Sequence, residues 1–283
     1  MSAAEIEIAA SPWPARRLRA EELCEQHPFA AELLTLYLAL LPVQEDAWHA
    51  ARDRPPSPSE LAAWGAARVV PAVADATMAA GPDALGEAVR RRLAADDGDS
   101  ALAGWLAGTE LDPVDRYLAR ASLAPVLEAL GERAGEGCAR DEAGATLCPC
   151  CGGLPQLSCV ADSGDSLVSG RRSLLCARCA SSWDHTRSAC PACGESDEAR
   201  LLVYAERWTG PVSVDGNGDG AAQAIFPHLR IAGCSTCRRY LIEVDMARDG
   251  RAVPEVDELA ALPLDLYAAD QRLTKVTPNL MGF

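Results

Sequence analysis

The sequence predicts an α+β protein: an N-terminal all-α helical bundle followed by two tandem metal-binding units of rubredoxin-like or zinc-ribbon plan. Three observations predict it. From Pro14 to about Gly131 apolar residues recur at helical spacing in an Ala- and Leu-rich background. After residue 147 that period gives way to short β-branched runs separated by turn signals. Among those runs lie four Cys-x-x-Cys pairs, Cys148/Cys151, Cys176/Cys179, Cys190/Cys193 and Cys234/Cys237. The implied division is a helical domain over 1–140, with a linker at about 131–146. Two four-cysteine units follow, over 147–187 and 188–250, and then a C-terminal helix and tail over 251–283.

In the helical part, Ala15–Gln26 reads as a first helix and Pro28–Arg52 as a longer one, with Leu33, Leu34, Tyr37, Leu38 and Leu41 on one face. Pro42 is expected to kink or divide it. The breaker cluster from Arg54 to Ser59 follows, and Ser59 is positioned to cap the next helix. Segments near Leu61–Ala80, Asp83–Ala95, Ser100–Gly108 and Pro113–Leu130 complete a bundle of five to seven helices, the last opened by Asp112 as N-cap and Pro113 at the first helical position. Trp13, Trp48, Trp64 and Trp105 read as packing residues. His27 and His49 read as cap or surface residues, and Cys24 as a small apolar residue. Gly131–Thr146 is glycine-rich, charged and aperiodic, and Cys138 within it reads as incidental. Strands are expected around Leu157–Val160, Arg172–Leu175, Leu201–Arg207, His228–Ala232 and Tyr240–Val244; Val256–Tyr267 returns to helix before an extended tail.

Two thiolates in a Cys-x-x-Cys turn point the same way and offer half of a tetrahedral site, so eight cysteines in four pairs offer two closed sites. The order knuckle, strand, strand, knuckle occurs twice, an internal duplication. Pro149 and Pro191 stiffen the first knuckle of each unit, and Gly152 and Gly194 can take positive φ so that N–H groups approach the sulfurs. The second knuckles carry Ala180 and Arg238 where that glycine would stand. Ribbon logic pairs Cys148/Cys151 with Cys176/Cys179 and Cys190/Cys193 with Cys234/Cys237; a cross-braced arrangement is the alternative. Cys150 is a candidate substitute ligand, and Cys159 is expected to face a small core. Spacing alone favours zinc, although four thiolates suit iron too. Such closed sites leave no coordination position for a substrate water, which favours a structural metal over a catalytic one.

Composition narrows the function classes. Twelve cysteines in 283 residues do not make a disulfide-dense secreted chain, and the opening residues carry Glu5, Glu7, Arg16 and Arg17 with no apolar h-region after them. The expectation is a reducing cytoplasm with thiolates kept for metal. The apolar runs at Ala30–Val43 and Leu61–Ala80 are too short or too interrupted for a membrane span, so no membrane insertion is expected. The formal charge is −15, with 13 basic and 24 acidic residues up to position 144 and 13 against 17 thereafter, which argues against nucleic acid as partner. Lys275 is the only lysine. The stretch from Asp215 to Gly220 matches half of an EF-hand loop but has Phe226 at its twelfth position, and reads as a hairpin tip. His185 and His228 are the imidazoles near the cysteines, and neither forms a catalytic constellation in the sequence. No Cys-x-x-Cys sits in a βαβ setting, as a dithiol oxidoreductase would require.

The four pairs with their surroundings resemble the formate dehydrogenase accessory (FdhE) family. The resemblance rests on Cys148-Pro-x-Cys151-Gly-Gly-x-Pro155, on Leu175-Cys-x-x-Cys179 followed by Trp183, and on Arg187-x-x-Cys190-Pro-x-Cys193-Gly194. Cys234-x-x-Cys237-x-x-Tyr240-Leu241 and the tail from Leu273-Thr274 through Pro278 to Phe283 continue it, and His27-Pro28 ahead of the long helix is compatible. It implies a cytoplasmic maturation factor, not an enzyme. Such a factor contacts the molybdenum- or tungsten-containing catalytic subunit of formate dehydrogenase before export or assembly. It also implies rubredoxin-like, iron-binding tetracysteine sites, which moves the expected metal from zinc toward iron. The acidic helical half then becomes a candidate face for an Arg-rich client segment such as a twin-arginine leader. The alternatives are an iron-based redox or thiol-dependent maturation enzyme, and a zinc-ribbon nucleic-acid binder.

Overall fold

The computed structural model describes residues 11–96, 98–138, 146–161, 170–206 and 224–282. The half-EF-hand stretch at Asp215–Gly220 lies outside them.

The helical half consists of α1 (Trp13–Gln26), α2 (Ala31–Asp53), α3 (Leu61–Arg68), α4 (Val70–Ala80), α5 (Asp83–Leu93), α6 (Asp99–Ala107) and α7 (Pro113–Leu130). Asp112 caps α7 as its position predicts, accepting from the N–H groups of Val114 and Asp115. Two local expectations are corrected. The stretch over 61–80 is two helices, because Pro71 in the first turn of α4 has no N–H to continue the ladder from α3. Ser59 does not cap α3; it sits inside a 3-10 turn, Pro58–Glu60, that Ser57 precedes, and the Ser57 hydroxyl donates to Glu60. Pro42, by contrast, does not divide α2, which runs unbroken from Ala31 to Asp53. Burial explains this. Leu36, Leu40, Ala47 and Ala51 of α2 pack into one core, and Leu34, Tyr37, Leu41 and Trp48 into another. Each buried Leu contributes roughly 1.5–3 kcal/mol, so two packed faces outweigh the loss of about 3 kcal/mol at the proline. The expected linker begins as a 3-10 extension of α7, Gly131–Gly137, with Ala134 buried.

The second half forms β1 (Pro155–Val160), β2 (Arg172–Cys176), β3 (Ser182–Asp184), β4 (Leu201–Ala205), β5 (Leu229–Cys234) and β6 (Arg239–Asp245). After them come α8 (Pro254–Ala260), α9 (Leu262–Asp270) and the short β7 (Thr274–Lys275). The strands of both cysteine units lie in one sheet of order β3-β2-β1-β6-β5-β4. Within each unit neighbours are antiparallel; the units join where β1 runs parallel to β6, from Leu157 opposite Ile242 to Val160 opposite Asp245. β7 pairs with the start of β6, at Arg239 and Tyr240, on the edge that β1 leaves uncovered. Each junction gives hydrogen-bond partners to an edge that a lone ribbon would expose.

β6 divides its side chains by alternation. Tyr240, Ile242 and Val244 meet α1, α2, α8 and α9 in a shared core, while Leu241 meets Leu174 and Val276 on the opposite face. Charged groups fasten the same seam. Arg16 of α1 pairs with Glu128 of α7 at 2.8 Å and with Glu255 of α8, and the Arg19 Nε donates to Asp257 at 3.0 Å. His228, one of the imidazoles noted above, lies buried against the same Asp257 at 2.7 Å.

Candidate metal centres

All eight cysteines of the four pairs come together in two groups. Cys148, Cys151, Cys176 and Cys179 form one; Cys190, Cys193, Cys234 and Cys237 form the other. Within each group the sulfurs all lie within 4.8 Å of one another. The pairing is therefore the sequential one and not the cross-braced alternative. Sulfur–sulfur distances are 3.7 Å for Cys148–Cys179, 3.4 Å for Cys151–Cys176, 3.7 Å for Cys190–Cys237 and 3.9 Å for Cys193–Cys234. A tetrahedron of sulfurs about 2.3 Å from a central ion has edges of about 3.8 Å, so both groups can hold a metal ion. The spacing is far beyond the roughly 2.05 Å of a disulfide, and all eight thiols are free.

The knuckles share one backbone design. In each, the residue after the second cysteine donates its N–H to the carbonyl of the first: Gly152 to Cys148, Ala180 to Cys176, Gly194 to Cys190 and Arg238 to Cys234, at 2.9–3.2 Å. In each, that residue has positive φ: 70° at Gly152, 55° at Ala180, 76° at Gly194 and 59° at Arg238. The missing glycines of the second knuckles thus do not change the turn; alanine and arginine adopt the left-handed conformation in their place. N–H groups then reach the sulfurs, Arg178 to Cys176 at 3.3 Å and Ala192 to Cys190 at 3.4 Å. Gly153 is needed for a different reason. A Cβ there would lie 2.9 Å from the Cys176 sulfur and 3.2 Å from that of Cys151.

Four thiols this close cannot all ionise without a cation between them. Neighbouring thiols donate to Cys148 and hold its pKa far below the usual range. Interactions with Cys148 and Cys151 raise Cys176 and Cys179, and Cys138, followed by Cys148, pushes Cys151 up to about 12. In the second group burial raises Cys190 and Cys237, while backbone N–H groups of Cys237 and Thr236 lower Cys234 against its own burial. A divalent ion removes the conflict, because a coordinating thiol is deprotonated outright.

The two groups differ in surroundings. The first is buried throughout and belongs to the same core as α3, α4, α6 and α7. The second stands at the end of the β5–β6 hairpin with Cys193 exposed and Cys237 half-buried. Cys150 turns away from its group, toward the carbonyls of Gly131 and Glu132. Cys159 is half-buried on β1, and burial pushes its thiol up to about 12. One residue escaped the sequence reading. Cys138 packs beside Cys151, whose thiol lowers its pKa, and no spacing rule connects position 138 to the pairs.

No protein-family model matches the chain. Among solved structures, the crystal structure of the FdhE protein from Pseudomonas aeruginosa superposes with a TM-score of 0.64, at 23% identity over 95% of this chain and 94% of that one. That likeness establishes the fold. Among curated proteins, an FdhE homologue of Aquifex aeolicus is 30% identical over 138 residues, 48% of this chain. The FdhE homologue of Pseudomonas aeruginosa is 31% identical over 146 residues, 52% of this chain. The chain is thus similar to FdhE homologues over about half its length. These matches span 41% and 42% of the relatives' own length. The FdhE fold accordingly supplies the frame for both cysteine groups, and among its described residues no helix is long and apolar enough to cross a membrane.

Proposed function

We propose that the chain is an accessory protein for the assembly of active formate dehydrogenase, one that binds the catalytic subunit in the cytoplasm and performs no catalysis. Each four-cysteine group holds one metal ion, iron by family likeness or zinc by spacing, with the eight paired cysteines as ligands. The observation that carries this reading is the placement of the first group. Its four sulfurs are buried in the core that the helices build, so the ion there closes the fold and has no position left for a substrate.

Co-expression with the catalytic subunit and pull-down of the complex tests the partner. Retention is expected, and charge reversal of exposed acidic residues on the helical half is expected to weaken it where the client segment is Arg-rich. Unchanged capture by the reversed variants removes that face as the docking surface. Elemental analysis of protein purified without oxygen, with a visible spectrum before and after oxidation, tests the metal; a ferric tetrathiolate is coloured and a zinc site is not.

A second reading is favoured by one observation, the exposure of Cys193 in the second group. An iron held there lies at the surface, open to electron transfer with a client. Reversible bleaching on reduction supports this reading, and a colourless protein that contains zinc and no iron excludes it.

A further inference from the structure

Beside the first cysteine group, a cleft of about 320 Å³ opens between the helices and the knuckles, lined by Trp105, Gly108, Arg116, Arg120, Gly153 and Arg178 among others. Among the described residues its lining includes three arginines and no carboxylate. In a chain of formal charge −15 that composition runs against the overall balance. None of the three arginines makes an ion pair among the described residues. Arg120 donates to the Pro278 carbonyl at 2.6 Å, and Arg178 donates to the Cys151 carbonyl at 3.2 Å with its guanidinium 5.8 Å from the centre of the Trp105 ring. A guanidinium carries five N–H donors, so each keeps several unspent. Gly108 leaves the space over Arg178 clear, since a Cβ there would stand 3.3 Å from the Arg178 Nη2.

The cleft has a polar floor. Arg120, Ala177 and Arg178 also line an inner cavity of about 100 Å³ between the helices and the sheet. Trp13 and Gln156, 1% and 2% exposed, line it together with the ion-paired Arg16, Glu128 and Glu255 and with Glu258, and the Trp13 indole N–H and the Gln156 amide oxygen are buried without a hydrogen-bond partner. Buried polar groups are normally satisfied, so an unmatched donor and acceptor beside two of these cations, Arg120 and Arg178, mark a place shaped for something else.

We propose that this cleft binds a phosphate-bearing small molecule, its phosphate held by Arg116, Arg120 and Arg178 and its uncharged part directed toward Trp13 and Gln156. Phosphate fits better than carboxylate. It spreads up to two negative charges over three oxygens, which matches three guanidinium forks, whereas a carboxylate offers one charge and two oxygens. The volume accepts more than a bare phosphate and lies at the lower end of the range of small-molecule sites. The basic surface is a confined pocket and not a stripe, so it does not track a nucleic-acid backbone. This inference requires neither a particular metal nor the formate dehydrogenase partner.

Calorimetric titration of the full, metal-loaded chain at fixed ionic strength tests it, with inorganic phosphate, pyrophosphate, ADP and succinate as probes. Saturable binding of at least one phosphate compound is expected, weakened about tenfold by Arg116→Gln, as loss of one charge-assisted hydrogen-bonding group predicts. The Arg116 side chain makes no hydrogen bond or ion pair among the described residues, so this variant is expected to fold as the parent does, with an unchanged circular dichroism spectrum. Arg178→Gln is expected to act in the same direction. Tighter binding of ADP than of pyrophosphate assigns a nucleotide as the source; equal binding assigns the phosphate group alone. Absence of saturable binding, binding indifferent to both substitutions, or succinate binding as tight as that of the phosphates overturns the proposal.

Discussion

Ala180 takes the turn position that glycine occupies in the first knuckle of its unit, and it does so at a φ of 55°. A non-glycine residue in that region costs roughly 1–2 kcal/mol. Ala180→Gly is therefore expected to raise the stability of the metal-loaded chain by about 1 kcal/mol in urea denaturation. The parallel change at Arg238 should gain nothing, because the Arg238 side chain donates to the carbonyls of Arg272 and Gln271 and those bonds would be lost. Gly153→Ala sets a Cβ against two sulfurs of the first group; the expected outcome is loss of that group's ion alone, read as metal content per chain. Lys275 shows a buried ammonium where every other cation is arginine. It lies between Asp265, at 3.0 Å, and Glu258, themselves buried, and Asp265 also accepts from the Tyr240 hydroxyl at 2.8 Å. Lys275→Met would leave two buried carboxylates without a cation, an expected loss of about 3–5 kcal/mol in equilibrium denaturation. The lone lysine stood out in the sequence, but its role depends on two acids ten and seventeen positions earlier that no local pattern links to it.

Among the elements, the loop from α5 into α6 carries an acid-dependent clasp. Asp96 accepts hydrogen bonds from the Gly98 N–H at 2.6 Å and the Ser100 hydroxyl at 3.0 Å, and pairs with Arg92 at 2.9 Å. Those partners, Arg92 first, hold its pKa at about 2, below the ordinary carboxylate value. Because the folded-state pKa is depressed, the stabilisation is present above pH ~4 and is lost as the pH falls toward 2. Thermal melts across that window should show a smaller acid-induced decline for Asp96→Asn than for the parent chain. The elements also divide by legibility. A Cys-x-x-Cys spacing suffices to write a knuckle, and Asp112-Pro113 suffices to start α7. The junction of β1 with β6 could not be read, since Leu157 and Ile242 are 85 positions apart and parallel pairing leaves no turn signature. β3 and β7, three and two residues long, lie below the length at which alternation can register. Pro42 leaves α2 undivided because propensity is local, whereas the two faces that hold the helix are not.

For the whole molecule, the first cysteine group joins the helices through a common core, so metal removal should not be a local event. Chelation is expected to lower the midpoints of helical circular dichroism and tryptophan fluorescence together, by several kcal/mol in equivalent stability. Helical signal that persists unshifted after chelation would show the core closing without the ion. The distribution of the −15 charge was legible only in part. Position along the chain told where acids outnumber bases; it did not tell that Arg116, Arg120 and Arg178 converge from α7 and a knuckle on one cleft.

The double face of α2 has a consequence for biosynthesis. One side of that helix is completed by Leu61, Leu102, Leu118 and their neighbours, which leave the ribosome soon after it. The other side waits for Ile231, Ile242 and Val256, some two hundred positions downstream. Until those residues emerge, Trp13, Leu34, Tyr37 and Leu41 remain wetted on the nascent polypeptide, and the amino-terminal portion must be shielded or kept from sticking while translation finishes. A truncated chain ending before β5 should therefore aggregate or recruit holdase chaperones, because the later strands act as the lock that seals the earlier helices.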